Sequence, residues 1–116
     1  MSSIEALWLV KFGDFETPNQ ARNGGVIVFE SGKAFGGDSG YAYVGRYEVS
    51  GDNFTAELDI IQFNDEMGDV FGLNSSEFAV TVNLTRSDNL MKGTMAVPEQ
   101  IGVSLPLILQ RFRDLP

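Results

Sequence analysis

The sequence predicts an all-β protein, a small antiparallel up-and-down β-barrel of about eight strands with at most one short helix. Apolar and polar residues alternate with a period of two along most of the chain, which is typical of strands. Glycine, asparagine and aspartate separate these runs at hairpin spacing. No stretch of helical length shows a convincing helical period. The 116 residues therefore indicate one domain, residues 1–116.

The alternation defines each strand in turn. It is clearest at residues 54–60, where positions 54, 56, 58 and 60 are apolar and the positions between them are polar. Residues 78–84 repeat the pattern, which is typical of a strand with one buried and one solvated face. The complete set of predicted strands comprises residues 4–13, 25–30, 33–36, 41–49, 54–63, 78–84, 90–97 and 103–112.

The connections support the same topology. Residues 30–33, 49–53 and 86–89 carry the Gly, Asn and Asp that tight antiparallel turns require. Paired glycines at 24–25 and 36–37 mark strand ends where bends or bulges cost little. Alternation stops between Asp65 and Ser76, so a short helix or turn is expected there.

Eight short antiparallel strands must protect their edges, and closure into a barrel does so completely. A two-sheet sandwich is the alternative. Hairpin-short connections favour the barrel, because a Greek-key sandwich needs a long return connection. Pro106 lies inside the last strand pattern and lacks an N–H group, so we expect it at an edge, a bulge or the barrel seam.

The composition argues against catalysis. The chain has no cysteine and no histidine, which excludes thiol nucleophiles, thiolate metal sites and the usual general base near neutral pH. Carboxylates alone would have to do any chemistry, and Glu57 and Asp59 fall on the polar face of their strand. We therefore expect no enzymatic activity, no cofactor and no metal.

The net charge of −8 bears on the partners. An acidic surface repels nucleic-acid phosphates and anionic lipids, so no direct nucleic-acid or membrane binding is expected. It would suit a basic protein partner, although the charge could also serve solubility alone. The N-terminal residues lack a basic region and a long apolar run, and nothing approaches the length of a membrane-spanning helix. A cytoplasmic location is expected.

Two polar segments have an ordinary and a functional interpretation. Residues 64–69 include Asp65, Glu66 and Asp69 and superficially suggest a calcium loop, but the ligand spacing of an EF-hand is missing, and a solvated connector is the simpler interpretation. The glycine-rich residues 36–40 could present backbone amides to a ligand. A strand rather than a helix follows them, which favours a tight bend.

Tyr41, Tyr43 and Tyr47 recur on one face of the fourth predicted strand, with Gly45 in the same register. They could line a barrel cavity in which Gly45 leaves room for a small apolar ligand. They could equally fill the core, with their hydroxyl groups reaching the barrel mouth. An eight-stranded barrel permits both arrangements, and the sequence leaves the choice open.

Residues 35–47, a Gly-Gly-Asp turn followed by a tyrosine-rich strand, resemble the GrlR-like family of negative regulators of bacterial type III secretion. The opening residues 5–12, the segment 24–32 and the terminal strand 105–109 are similar too, so the likeness spans nearly the whole chain. The resemblance implies a lipocalin-like barrel that forms a homodimer. It also implies sequestration of a transcriptional activator by protein–protein contact, without an enzymatic step.

One departure from the family pattern affects the expected site. The family's characterised member carries an acidic tetrapeptide in an exposed hairpin, whereas the matching turn here, residues 50–53, has only Asp52. The connector with Asp65, Glu66 and Asp69 could take its place as a partner contact. The leading hypothesis is a regulatory protein that binds a protein partner, and the alternative is a lipocalin-like carrier of a small apolar ligand.

Overall fold

A computed structural model describes residues 3–12, 22–64 and 76–116, and it shows a closed barrel of antiparallel strands. The predicted barrel is confirmed, and the sandwich alternative is wrong. The described ranges contain no helix, and the helix considered for the segment after Asp65 falls outside them. The strands are β1 (Ala6–Phe12), β2 (Arg22–Glu30), β3 (Lys33–Gly37), β4 (Tyr41–Ser50), β5 (Asn53–Gln62), β6 (Glu77–Ser87), β7 (Leu90–Ala96) and β8 (Ser104–Asp114).

Each strand pairs with the next along the chain, and β8 pairs with β1 to close the barrel, with Val10 opposite Leu109. This up-and-down order gives the barrel two different ends. Two-residue turns at 31–32, 51–52 and 88–89 form the turn end. The connections 13–21, 38–40, 63–76 and 97–103 join strands at the opposite end, which we call the loop end.

Inward-facing apolar side chains from all eight strands fill a common core. Trp8, Phe29, Phe54 and Met91 are fully buried. The Phe29 ring centroid lies 4.8 Å from that of Phe54 and 6.4 Å from that of Trp8. The Trp8 indole N–H donates to the backbone oxygen of Ile4 at 3.0 Å, so its buried polar group is satisfied. These rings occupy the half of the barrel nearer the turn end.

Two register shifts interrupt the β1 pairings. Val10 pairs with Gly25 and Lys11 with Asn23, which leaves Gly24 as a bulge of the kind expected at paired glycines. The second shift leaves Phe112 unpaired opposite β1, and the sequence did not predict it. The β1–β8 pairing stops at Leu107, so Pro106 lies one residue beyond it, at the seam.

The observed strand bounds differ from the predicted bounds mainly where the end of a strand is polar. β2 begins three residues earlier and β6 ends three residues later than the apolar pattern indicates. Thr85 pairs with Asn53, and Ser87 pairs with Leu90, so backbone pairing continues past the last core residue of β6. Apolar alternation marks where a strand faces the core, whereas the hydrogen-bonded ladder extends to the turn.

Candidate functional site

The three tyrosines face the barrel interior as the spacing predicted, and all are buried. Tyr47 stacks on Phe54 at a centroid distance of 5.7 Å and an angle of 15°, so it belongs to the aromatic core of the turn-end half. Tyr41 lies in the loop-end half and packs edge-on against Phe78 at 6.3 Å. The two ends of the tyrosine face therefore have different surroundings.

Gly45 has a backbone reason for being glycine. A Cβ atom built at this position would lie 1.9 Å from the carbonyl oxygen of Glu57 on β5. The close approach of β4 and β5 therefore requires the missing side chain. The sequence suggested that Gly45 leaves space for a ligand. The contact between the two strands explains the glycine without such a space.

Asp38 organises the turn between β3 and β4. Its Oδ1 accepts the backbone N–H groups of Gly40 and Tyr41, both at 2.8 Å. Its Oδ2 accepts the hydroxyl hydrogen of Tyr43, which is buried in the barrel wall. Burial, this hydrogen bond and the nearby carboxylate charge raise the pKa of Tyr43 above its ordinary value of 10.0. The phenol is therefore a hydrogen-bond donor at neutral pH, not a base.

The same turn holds the start of the β5–β6 connection. The Gly40 carbonyl oxygen accepts the backbone N–H groups of Phe63 at 3.0 Å and Asn64 at 3.3 Å. The Asn64 side-chain amide donates to the Ser39 oxygen at 3.4 Å. Residues 36–40 thus form the tight bend that the sequence favoured, and they anchor the chain where the acidic connector begins.

The candidate acidic contacts belong to opposite ends of the barrel. Asp52 is exposed in the β4–β5 turn, and its backbone oxygen accepts the Arg86 N–H at 2.7 Å. Asp65, Glu66 and Asp69 lie outside the described residues, in the connection that leaves β5 at the loop end. Asp52 therefore belongs to a turn-end connection and the other three carboxylates belong to a loop-end connection.

The charge is distributed unevenly along the barrel. All Lys and Arg residues lie in strands, whereas the four loop-end connections contain none. Those connections carry seven of the 16 acidic residues: Asp14, Glu16, Asp38, Asp65, Glu66, Asp69 and Glu99. By sequence, the loop-end connections therefore carry seven acidic and no basic residues, and five of the seven lie in segments that the structure does not describe.

The remaining carboxylates of β4 and β5 line the outer wall. Glu48, Glu57 and Asp59 are exposed, as expected from their polar face. With Arg46, Thr55 and other polar residues, Glu48 and Glu57 border an open depression of about 470 Å³ across β4, β5 and β6. Among the described residues, no group of three or more His, Cys, Asp and Glu side chains is placed to hold a metal ion.

A second part of the outer wall is apolar, which strand alternation did not predict. Leu9 faces Val26 and Leu7 faces Val28 across β1 and β2, and the row continues through Phe35 on β3 to Val44 on β4. Phe35 is 46% exposed and Val44 is 49% exposed. We call these six residues the apolar wall. Their strands carry apolar residues on both faces, so the sequence does not distinguish core from surface there.

No protein-family model matches the chain, and a comparison with curated proteins finds no relative. The resemblance to the GrlR-like family therefore stays a prediction, although the barrel is the fold that it implied. Within the described ranges, no helix is long and apolar enough to cross a membrane.

Proposed function

We propose that this protein is a non-enzymatic regulator that binds and sequesters a basic protein partner at the loop end of its barrel. The observation that carries the proposal is the placement of seven carboxylates, and no basic residue, in the four loop-end connections. Acidic connections of this kind attract a positively charged protein surface and repel acidic proteins. A transcriptional activator with a basic DNA-binding surface, the partner class implied by the GrlR-like resemblance, fits this chemistry.

The strand framework supports a binding role for this end. Asp38 receives three hydrogen bonds, and the bend that it organises holds Phe63 and Asn64 at the start of the acidic connector. The connector therefore leaves a fixed point on a rigid barrel. Fixed anchoring reduces the ordering entropy that a loop loses when a partner binds.

The described side chains also support a role without catalysis. The carboxylates of β4 and β5 are exposed on the outer wall of the barrel. The phenol of Tyr43 is occupied as a donor to Asp38. Neither arrangement offers an activated nucleophile.

The test is affinity capture from native lysate over a series of salt concentrations. The loop-end variant carries Asp65→Asn, Glu66→Gln and Asp69→Asn, and the matched control removes the same charge from the outer wall through Glu48→Gln, Glu57→Gln and Asp59→Asn. We expect a basic protein on the wild type and the control, weakened by salt and largely lost from the loop-end variant. The captured protein is then purified and titrated against each variant by calorimetry.

Recovery of the chain alone at every salt concentration would contradict the proposal. Equal loss of the partner from both variants would show that total charge, and not the loop end, determines binding.

A carrier of a small apolar ligand is the second candidate. It is favoured by Tyr41, Tyr43 and Phe78, which line the interior in the loop-end half, away from the packed rings of Phe29, Tyr47 and Phe54. Native mass spectrometry of the protein purified from cells would show an added mass that denaturation removes. Tyr41→Ala should then change ligand occupancy, whereas Tyr47→Phe should leave it unaltered. A single apo mass would argue against the carrier.

A further inference from the structure

The apolar wall continues toward the loop end beyond the six residues that define it. Ala42, the next outward residue from Val44 toward the loop end, is directly opposite Ile61 on β5. Phe63, two residues past Ile61, is 65% exposed. Its backbone N–H donates to the Gly40 oxygen at 3.0 Å, which holds it at the edge of the loop end. Contiguous exposed apolar surface of this kind marks an interaction site.

The smallest side chains of this surface lie side by side. Gly37 on β3 is directly opposite Ala42 on β4. Val26 stands beside Gly37, and Ile61 stands beside Ala42. Phe35, the next outward residue of β3, closes the turn-end side. Gly37 and Ala42 therefore form the floor of a shallow hollow among larger side chains, which we call the anchor hollow. A hollow of this kind suits one apolar side chain of a partner.

The charge beside the β3–β6 part of this surface is balanced toward the turn end and negative toward the loop end. The row on the turn-end side has two acids and two bases: Glu30, Lys33, Arg46 and Glu57. At the loop end, Asp38 directly follows Gly37, and Glu77 is exposed opposite Ile61. The acidic connector begins just after Phe63. A basic segment is therefore attracted to the loop-end margin of the apolar surface.

We propose that this surface binds an amphipathic α-helix of the basic protein partner. One apolar side chain of the helix enters the anchor hollow, and its basic side chains lie over the loop-end margin at Asp38 and Glu77. The inference rests on the proposed function, and it names the element of the partner that the barrel recognises. A closed barrel has no unpaired strand edge, so the partner cannot add a strand to the sheet. A helix instead presents apolar residues on one face and basic residues beside them.

The strands determine the direction and length of the helix. The barrel is convex around its circumference, so a rod keeps contact only when it lies nearly along the strands. From Val44 to Gly40 the chain advances by four residues, which is about 13 Å at about 3.3 Å per residue. A helix spans that distance in about nine residues. An isolated helix of this length is marginal in water, so the segment should gain helix when it binds.

The probe is a capped synthetic peptide of about 14 residues, with leucines on one helical face and lysines and alanines elsewhere. A control peptide has the same composition, with its leucines spread around the helix. Titration of both into the purified chain by fluorescence anisotropy should give a dissociation constant on the order of micromolar for the first. The control peptide should bind at least about tenfold more weakly. Circular dichroism should show helix gained by the first peptide only.

Nuclear magnetic resonance locates the bound peptide. The backbone amide signals of Gly37, Ala42 and Val44 should shift during the titration, whereas those of Gly93 and Thr94 on β7, across the barrel, should stay in place. Equal binding of the two peptides would overturn the inference, because charge alone would then explain it. Shifts that leave the three wall amides unaltered would overturn it as well.

Variants test the anchor hollow. Ala42→Leu fills the hollow without changing the charge and should weaken the first peptide about tenfold. Phe35→Ser removes one side of the hollow and should have a similar effect. Phe112→Ser is the matched control, since Phe112 is 55% exposed on β8, away from the wall, and peptide binding should be unaltered. The unfolding midpoint of each variant shows whether the fold is kept. Full affinity in Ala42→Leu would contradict the role of the hollow.

Capture of the native partner separates this inference from the proposed function. Loss of the partner from both Ala42→Leu and the loop-end charge variant supports the two together. A partner that is kept by Ala42→Leu and lost from the charge variant would refute the helix contact alone. Failure of the wild type to capture any basic protein would refute the proposed function, whatever the peptide titration shows.

Discussion

Asp38 and Tyr43 connect the loop end of the barrel to its interior. The Asp38 carboxylate accepts the hydroxyl hydrogen of Tyr43 with one oxygen and two backbone N–H groups of its own turn with the other. A side chain of the β3–β4 connection is thereby tied to a wall residue of β4. Because the same turn binds Phe63 and Asn64, this one carboxylate influences two of the four loop-end connections.

Removing this carboxylate should destabilise the fold. Asp38→Ala removes three hydrogen bonds and leaves the buried Tyr43 hydroxyl without its acceptor, so we expect the free energy of unfolding to fall by about 2–4 kcal/mol. Tyr43→Phe should cost about 1–2 kcal/mol. Urea unfolding of the two single variants and the double variant measures their coupling. Purely additive losses would show that the side-chain bond contributes nothing to stability.

The raised pKa of Tyr43 predicts a loss of stability in alkaline solution. Tyr43 keeps its proton in the folded chain to a higher pH than in the unfolded chain, where phenols ionise near 10.0. Its contribution is therefore complete below about pH 10 and falls above it, by up to about 1.4 kcal/mol per pH unit. Unfolding free energies measured from pH 8 to pH 11 should show this slope in the wild type.

Tyr43→Phe is the control for the alkaline effect, because its other ionisable groups are the same. Its stability should fall less steeply above pH 10, by the equivalent of about one proton. Identical slopes in the two proteins would mean that other groups cause the alkaline loss.

The aromatic cluster of the turn-end half should dominate core stability. Phe29 contacts the rings of Trp8, Tyr47 and Phe54, so Phe29→Ala should lower the unfolding free energy by about 3–5 kcal/mol. Phe112→Ala removes the same atoms from an exposed position and should cost less than about 1 kcal/mol. Thermal and urea unfolding compare the two. Similar losses would contradict the assignment of Phe29 to the centre of the core.

The close approach of β4 and β5 predicts an unusual sensitivity at Gly45. A methyl group there would collide with the Glu57 carbonyl oxygen, a backbone atom that can move only if the strands separate. Gly45→Ala should therefore destabilise by several kcal/mol, on the order of a severe core substitution. Thr55→Ala, an exposed change on β5, is the control and should cost less than about 1 kcal/mol. A stable Gly45→Ala variant with weakened ligand binding would instead support the cavity interpretation.

The strands, the turns and the inward face of β4 could be predicted from the sequence because they depend on neighbours along the chain. Alternation with a period of two indicates which side of a strand faces apolar surroundings, and it placed Tyr41, Tyr43 and Tyr47 together correctly. Turn residues act over two or three positions, so the connections at 31–32, 51–52 and 88–89 were predicted as well.

Features that depend on which strands become neighbours required the tertiary structure. The Phe112 bulge follows from closing β8 against β1, two segments from opposite ends of the chain. The apolar wall exists because β1, β2, β3 and β4 lie side by side with apolar residues on both faces, so no periodicity separates outside from inside. Likewise, the sequence does not distinguish the turn with Asp52 from the acidic connector, whereas the structure shows that β5 begins at the turn end and ends at the loop end.

The sequence by itself determined an acidic, all-β chain without histidine or cysteine and the approximate position of each strand. The tertiary structure decided which connections share one end of the barrel, which apolar residues face outward, and which carboxylate holds the β3–β4 turn. The physical reason is the separation along the chain over which each interaction acts. Side-chain alternation and turn geometry act between residues close in sequence, whereas charge placement, surface patches and the Asp38–Tyr43 bond depend on how a closed barrel arranges distant segments.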